Sequence, residues 1–149
     1  MAKLPPKPTV HEVLDAVHKA KTKDKKIEVL RQYDSKALRY CLIWNYDESL
    51  KSALPEGEVP YKQNESPTLE SQSKLASEYR TLYNFIEGGN YDINSTRREV
   101  LFIQLLESLS PDEAELLCLV KDKKLAKKYR CSFPVVTEAF PDIKWGNRV

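Results

Sequence analysis

The side chains able to do chemistry in this sequence are mostly cations, and they come in two blocks. Residues 121–130 carry Lys121, Lys123, Lys124, Lys127, Lys128 and Arg130 against Asp122 alone. Residues 19–31 carry Lys19, Lys21, Lys23, Lys25, Lys26 and Arg31 against Asp24 and Glu28. If the two converge in space they can hold a polyanion; apart, each is the solvated face of a helix. The later block lies between two helix starts, Ser110-Pro111-Asp112-Glu113 and Ser132-Phe133-Pro134. The free amides and dipole of a helix start attract anions, and a lysine or arginine beside them adds a salt-dependent attraction.

Other chemistry is not supported. His11 and His18 stand seven residues apart with no cysteine beside them, which is not a zinc spacing, so a half-buried or exposed structural role is expected. There is no glycine-rich phosphate loop, no nucleophile elbow, and no lysine followed by x-Asp-Gly. The carboxylates fall on helix starts and solvent faces. The expectation is a non-enzymatic protein with no cofactor and no metal. The cysteines, Cys41, Cys118 and Cys131, are far apart among apolar neighbours and read as reduced thiols of a cytoplasmic protein.

The elements that must position these residues are helical. Thr9-Val10-His11-Glu12 is a capping box followed by Val10, Val13, Leu14 and Val17 on one stripe. Asp24 is placed to cap a second helix and Ser35 a third, which ends near Trp44 and Tyr46. A longer helix is expected over 68–87, stopped by Gly88-Gly89. Thr96-Arg97-Arg98-Glu99 reads as a capping box opening Val100-Leu101-Phe102-Ile103-Gln104-Leu105-Leu106, an apolar block expected to be the most buried helix. Ser110 opens the next, with proline at its first position, and Ser132 the last, through Val135, Val136, Ala139 and Phe140.

No strand-like alternation or hairpin signal appears. At 149 residues, 41% apolar and 31% charged, the chain reads as one all-α domain over 1–149, an irregular bundle of seven or eight helices. Residues 1–8 read as a flexible arm, 53–67 as a long proline-interrupted loop and 144–149 as a tail. No apolar run is long enough for a membrane span, so no membrane partner is expected.

From about Leu14 to Ile143 the order of blocks resembles the N-terminal helical DNA-binding domain of viral ATP-dependent DNA ligases. Trp44-Asn45-Tyr46-Asp47 is similar to the helix and Tyr-Asp turn of that family, and Asn94-Ser95-Thr96-Arg97 to its polar turn before a buried helix. Val120-Lys121-Asp122-Lys123-Lys124-Leu125 resembles its hydrophobic-x-x-basic-Asp-Leu segment, and Ser132 to Ile143 its closing Ser-x-x-x-Ile-Asn-Lys-x-aromatic-Pro-Gly-Leu. The resemblance implies a domain that grips duplex DNA at its phosphates across the minor groove. It implies contacts at Ser95, Thr96 and Arg97 on one turn and at Lys124 and Ser132 on the other. Charge alone adds Arg98, Lys127, Lys128 and Arg130. Thr137-Glu138 stands where the family has Asn-Lys, which puts a carboxylate near the expected phosphate. The catalytic domain of a ligase would begin where this sequence stops, so ligation is not expected. The chain also resembles small proteins of tailed bacteriophages, which would put it in the host cytoplasm.

The leading expectation is therefore a sequence-independent duplex DNA-binding module, accessory to phage replication or repair. The alternatives are an adaptor docking a phage or host protein, suggested by Glu138, the 53–67 loop and aromatics near loops (Tyr33, Tyr46, Tyr61, Tyr91, Trp145), and a virion component.

Overall fold

The computed structural model describes residues 8–62 and 75–145. The fold is all-α. Among the described residues there are seven α-helices: α1 (Val10–Lys19), α2 (Lys23–Gln32), α3 (Lys36–Tyr46), α4 (Leu75–Glu78), α5 (Ser95–Ser108), α6 (Pro111–Lys121) and α7 (Phe133–Ala139). Two 3₁₀ segments join them, Tyr79–Phe85 and Leu125–Lys127. The backbone pairs across the chain as one isolated antiparallel bridge, Ser52 with Ile86.

Helix starts follow local chemistry. Thr9 makes the full capping box: its Oγ1 accepts from Glu12 N at 3.2 Å, and Thr9 N donates to Glu12 Oε1 at 3.0 Å. Ser35 Oγ accepts from Leu38 N. At α2 the cap is Thr22, which accepts from Lys25 N, and Asp24 sits inside the first turn instead. At α5 it is Asn94, accepting from Arg97 N at 2.7 Å, so the Thr96-x-x-Glu99 box does not form. Ser110 caps α6 through Glu113 N, but the Glu113 carboxylate does not turn back to close a box. It is buried and accepts from Leu75 N, fastening the start of α4 to α6.

The expected 68–87 helix is found as a short α-helical turn followed by 3₁₀ structure; Thr68 to Lys74 lie outside the described residues. A 3₁₀ segment repeats every three residues rather than every 3.6. Leu82 and Phe85 therefore share the buried side, while Tyr83 turns out to solvent. The segment ends at Phe85 with Ile86 as its C-cap, short of the expected Gly88-Gly89, and Gly88 takes φ 84° in the turn beyond.

The centre of the core is α6, which packs on α1, α3 and α5, while α2 packs on α1 and α7. The expectation that α5 is the most buried helix is corrected. It buries Phe102, Leu105 and Leu106, but Val100 is 38% exposed and Leu101 and Ile103 are half-buried. Among the described elements it packs chiefly on α6 and the 3₁₀ segment, and its apolar wrap outruns that cover. In α6 the reverse holds: Glu113 and Lys121, charged residues that read as solvent-facing, are buried.

Candidate nucleic-acid interface

The connector from Asp122 to Ser132 is bolted to the body by four side chains far from it in sequence. Asn45 Oδ1 accepts from the buried Leu125 N at 3.1 Å. The Tyr46 hydroxyl donates to Cys131 O, and its own burial pushes it up to about 12. On the other side, His11 Nδ1 is 2.7 Å from the Tyr129 hydroxyl, and His18 Nδ1 accepts from Arg130 N at 3.0 Å. The two histidines are thus clamps, two helical turns apart on one face of α1, as their seven-residue spacing allows.

The cations of this block divide into three kinds. Lys121 is 2% exposed, and its ammonium donates to Pro55 O at 2.7 Å and Gly57 O at 3.2 Å beside Asp122 Oδ1. Lys123 adopts φ 57° and donates to Trp44 O and Asp47 O, closing the C-terminus of α3. These two are internal. Lys124 pairs with Glu56 at 3.4 Å and Lys128 with Glu115 at 2.8 Å. Both pairs are open to water, where such pairs are worth only about 0–1 kcal/mol, so either lysine can exchange its partner. Lys127 and the Arg130 guanidinium are exposed and have no anionic partner among the described residues.

The turn at 94–98 divides in the same way. Ser95, Thr96 and Arg97 are exposed. Arg98 is turned inward: its Nε donates to Asn84 O at 2.8 Å and its Nη2 to Asn90 O at 2.9 Å and Ile93 O at 3.3 Å. It ties down the loop before α5 through two of its three nitrogens. Arg98 thus supplies donors to the backbone carbonyls of that loop.

Loop 53–60 touches both of the expected turns. Its Pro55, Glu56 and Gly57 are held by Lys121, Lys124 and Asp122. Its other flank meets Thr96, Glu99, Val100, Phe102 and Ile103 across a depression of about 350 Å³.

What the structure does bring together are the two basic blocks. Lys23, Lys26, Ala126, Tyr129, Arg130, Cys131, Ser132, Pro134 and Val135 line a common cleft of about 470 Å³. Lys26 Nζ donates to Val17 O at 2.6 Å and His18 O at 3.3 Å, closing the end of α1. Burial holds its ammonium below the ordinary lysine range, with Cys131 opposing and Arg130 adding to the fall. Lys23 pairs with Glu138 at 2.7 Å on the surface, so the carboxylate at that position answers a lysine of α2. Arg31 holds the same helix end, donating to Glu138 O and Ala139 O. Ser132 precedes α7 at the mouth of the cleft, with no side-chain bond to the helix. Lys127 follows Ala126, and exposed Lys21 and Lys25 flank Lys23.

The thiols are consistent with core residues. Burial raises Cys41 to about 12, Cys131 to about 12 and Cys118 to about 11, and all three are free. No helix among the described residues is long and apolar enough to cross a membrane.

The molecule is thus an all-helical protein whose last connector joins two cationic segments over one cleft. It belongs to a family of unknown function, DUF6433, which matches residues 13–127. No curated protein and no solved structure matches the chain.

Proposed function

We propose that this chain is a non-enzymatic, sequence-independent module that holds duplex DNA by its phosphates at the α2–connector cleft. The observation that carries the reading is the meeting of residues 23–26 with 126–132, two cationic stretches a hundred residues apart in sequence, around one opening. Arg130 and Lys127 are the available charges. Lys21 and Lys25 extend the field, and Lys23, Lys124 and Lys128 can trade exposed carboxylates for phosphate. The ligase-like order of blocks supports the same reading, with the contact surface moved from the 94–98 turn to the start of α2.

Four phosphates neutralised here would give a salt slope near −3.6, from roughly −0.9 per phosphate on a duplex. Affinity in the range of about 10⁻⁴–10⁻⁶ M would then fall by roughly a hundredfold between about 50 and 200 mM salt. A fluorescence titration of a labelled duplex at those two salt concentrations measures both. Lys127→Glu with Arg130→Glu should abolish most of the binding, while Arg97→Glu should leave it almost unchanged. No binding at the lower salt removes the proposal, and equal loss from Arg97→Glu moves the contact surface back to α5.

One observation favours a protein-docking adaptor instead. The depression between loop 54–60 and α5 is walled by Leu54, Val59, Val100, Phe102 and Ile103 and rimmed by Glu58 and Glu99. Apolar walls beneath carboxylates suit a protein segment and repel a phosphate backbone. A pull-down after nuclease treatment separates the readings, since the adaptor alone should retain a stoichiometric protein.

A further inference from the structure

A second cleft, of about 560 Å³, opens where α3 ends and α7 begins, lined by Tyr46, Asp47, Glu48, Ser49, Phe133 and Trp145. Its aromatic rings do not stack. Phe133 and Trp145 have centroids 5.0 Å apart and planes at 68°, and Tyr46 and Phe133 are 5.8 Å apart at 49°. Mutually inclined rings form the walls of an open box, where parallel rings would close on one another. Phe133 remains 41% exposed, an apolar ring held in water at the start of a helix and not drawn into the core. Tyr46 is fixed by its hydroxyl's bond to Cys131 O, so one wall is set before anything enters.

The polar side of the box carries two carboxylates, Asp47 and Glu48, both close enough to Lys123 to favour its charged form. Glu48 is exposed. Asp47 is buried, with Oδ1 accepting from Ser49 N at 2.9 Å and Ser49 Oγ at 2.6 Å. Two cations stand nearby. Lys123 points its ammonium at the carbonyls of Trp44 and Asp47, and exposed Lys144 precedes Trp145 in the chain. A ring face carries negative potential and attracts a positive group within about 6 Å, the more so when that group sheds water easily. Guanidinium and quaternary ammonium ions are weakly hydrated, whereas a metal ion or a primary ammonium is not.

We propose that this cleft is a binding site for an organic cation, a quaternary ammonium or a guanidinium group, walled by Tyr46, Phe133 and Trp145 with Glu48 as counter-charge. The cation's source is either a small molecule or an arginine of a partner chain, and the probes distinguish them. The full chain, labelled with ¹⁵N, is titrated with choline, with its neutral carbon analogue 3,3-dimethyl-1-butanol, and with N-acetyl-arginine amide, at constant ionic strength. Each tryptophan contributes one indole N–H signal, so the site and the core are read in the same spectrum.

The Trp145 indole should shift saturably, and that of Trp44, buried and bonded to Ser52 Oγ, should not. Choline saturating first points to a small-molecule cation, and the arginine derivative saturating first points to a partner's side chain. The neutral alcohol should bind at least about fivefold more weakly than the better cation, the size of a partly desolvated cation–π contact. Glu48→Gln should weaken the cation severalfold and leave the alcohol unchanged, and Phe133→Ala should weaken both. Absence of a saturable shift with either cation, or equal binding of the alcohol, overturns the proposal.

Discussion

Asn45 is the residue whose removal should say most about how the connector is held. It lies in the last turn of α3, is 5% exposed, and its Oδ1 accepts from the amide of Leu125 at 3.1 Å. That amide opens a 3₁₀ turn, so it has no acceptor within the turn itself, and the Leu125 side chain above it is fully buried. Asn45→Ala leaves a buried donor without a partner, which costs about 1–3 kcal/mol. The space vacated by the amide group, roughly 40 Å³ at about 24 cal/mol per Å³, adds about 1 kcal/mol.

A chain of this size loses roughly 2–4 °C of melting temperature per kcal/mol, so Tm should fall by roughly 4–16 °C. Urea denaturation gives the free energy, and amide exchange of Leu125 gives the bond. Both should move, because the bond and the stability loss have one cause. A cost below about 0.5 kcal/mol, smaller than an ordinary hydrogen bond, would refute the reasoning. So would a large cost with Leu125 exchange unchanged, since packing and not the bond would then hold the turn.

Three further predictions concern groups described above. The thiols should resist alkylation at pH 8 in the folded protein, with the half-buried Cys118 reacting first and Cys41 last; rapid labelling of Cys41 without unfolding would contradict its burial. The folded thiols sit near 11–12 against roughly 8.5 unfolded, so the native state keeps protons that the unfolded chain releases. Stability should therefore fall as pH rises from about 9 towards 12, and urea midpoints at pH 7.5 and 10 would show it. Gly89→Ala should be among the most damaging small changes. A Cβ there would lie 2.0 Å from Tyr83 O, a backbone atom, so the segment must shift at a cost of at least about 1–3 kcal/mol; a thermal melt within a degree of the parent would show that the turn yields freely.

Some of this was legible from residue order because its physics is local. A hydroxyl three residues before an amide finds it whatever the rest of the chain does, so Thr9, Ser35 and Ser110 mark true helix starts. The caps Asn94 and Thr22 are masked in the sequence by a better-matched pattern two residues further on, and the letters of the Thr96 box are never brought into register by the backbone. The depth of α5 was misjudged for a different reason. An apolar block announces that it can be buried, but cover depends on how many neighbours arrive, and α6 received them.

The charges were the least legible. A run of lysines says nothing about which carbonyls or carboxylates wait for it, and those are supplied by residues 44–57, 84–93 and 115. Hence Arg98 and Lys121 read as surface cations and are internal ties. The histidine clamps did leave a signal, since a seven-residue spacing puts both rings on one helical face. Nothing in the sequence said that the connector would lie across that face.

The bonds from α1 to Tyr129 and Arg130 span 118 and 112 residues, and those from α2 to the end of α7 span 107 and 108. During synthesis on the ribosome, α1 and α2 thus emerge long before the segments that cover them. Until the connector and α7 have emerged, α1 and α2 lack the partners that hold them on that side. Such late closure slows folding and lengthens the time in which sticky surface is bare, so the early helices depend on their charged outer faces, Lys19 to Lys26 above all, to stay apart from other nascent chains.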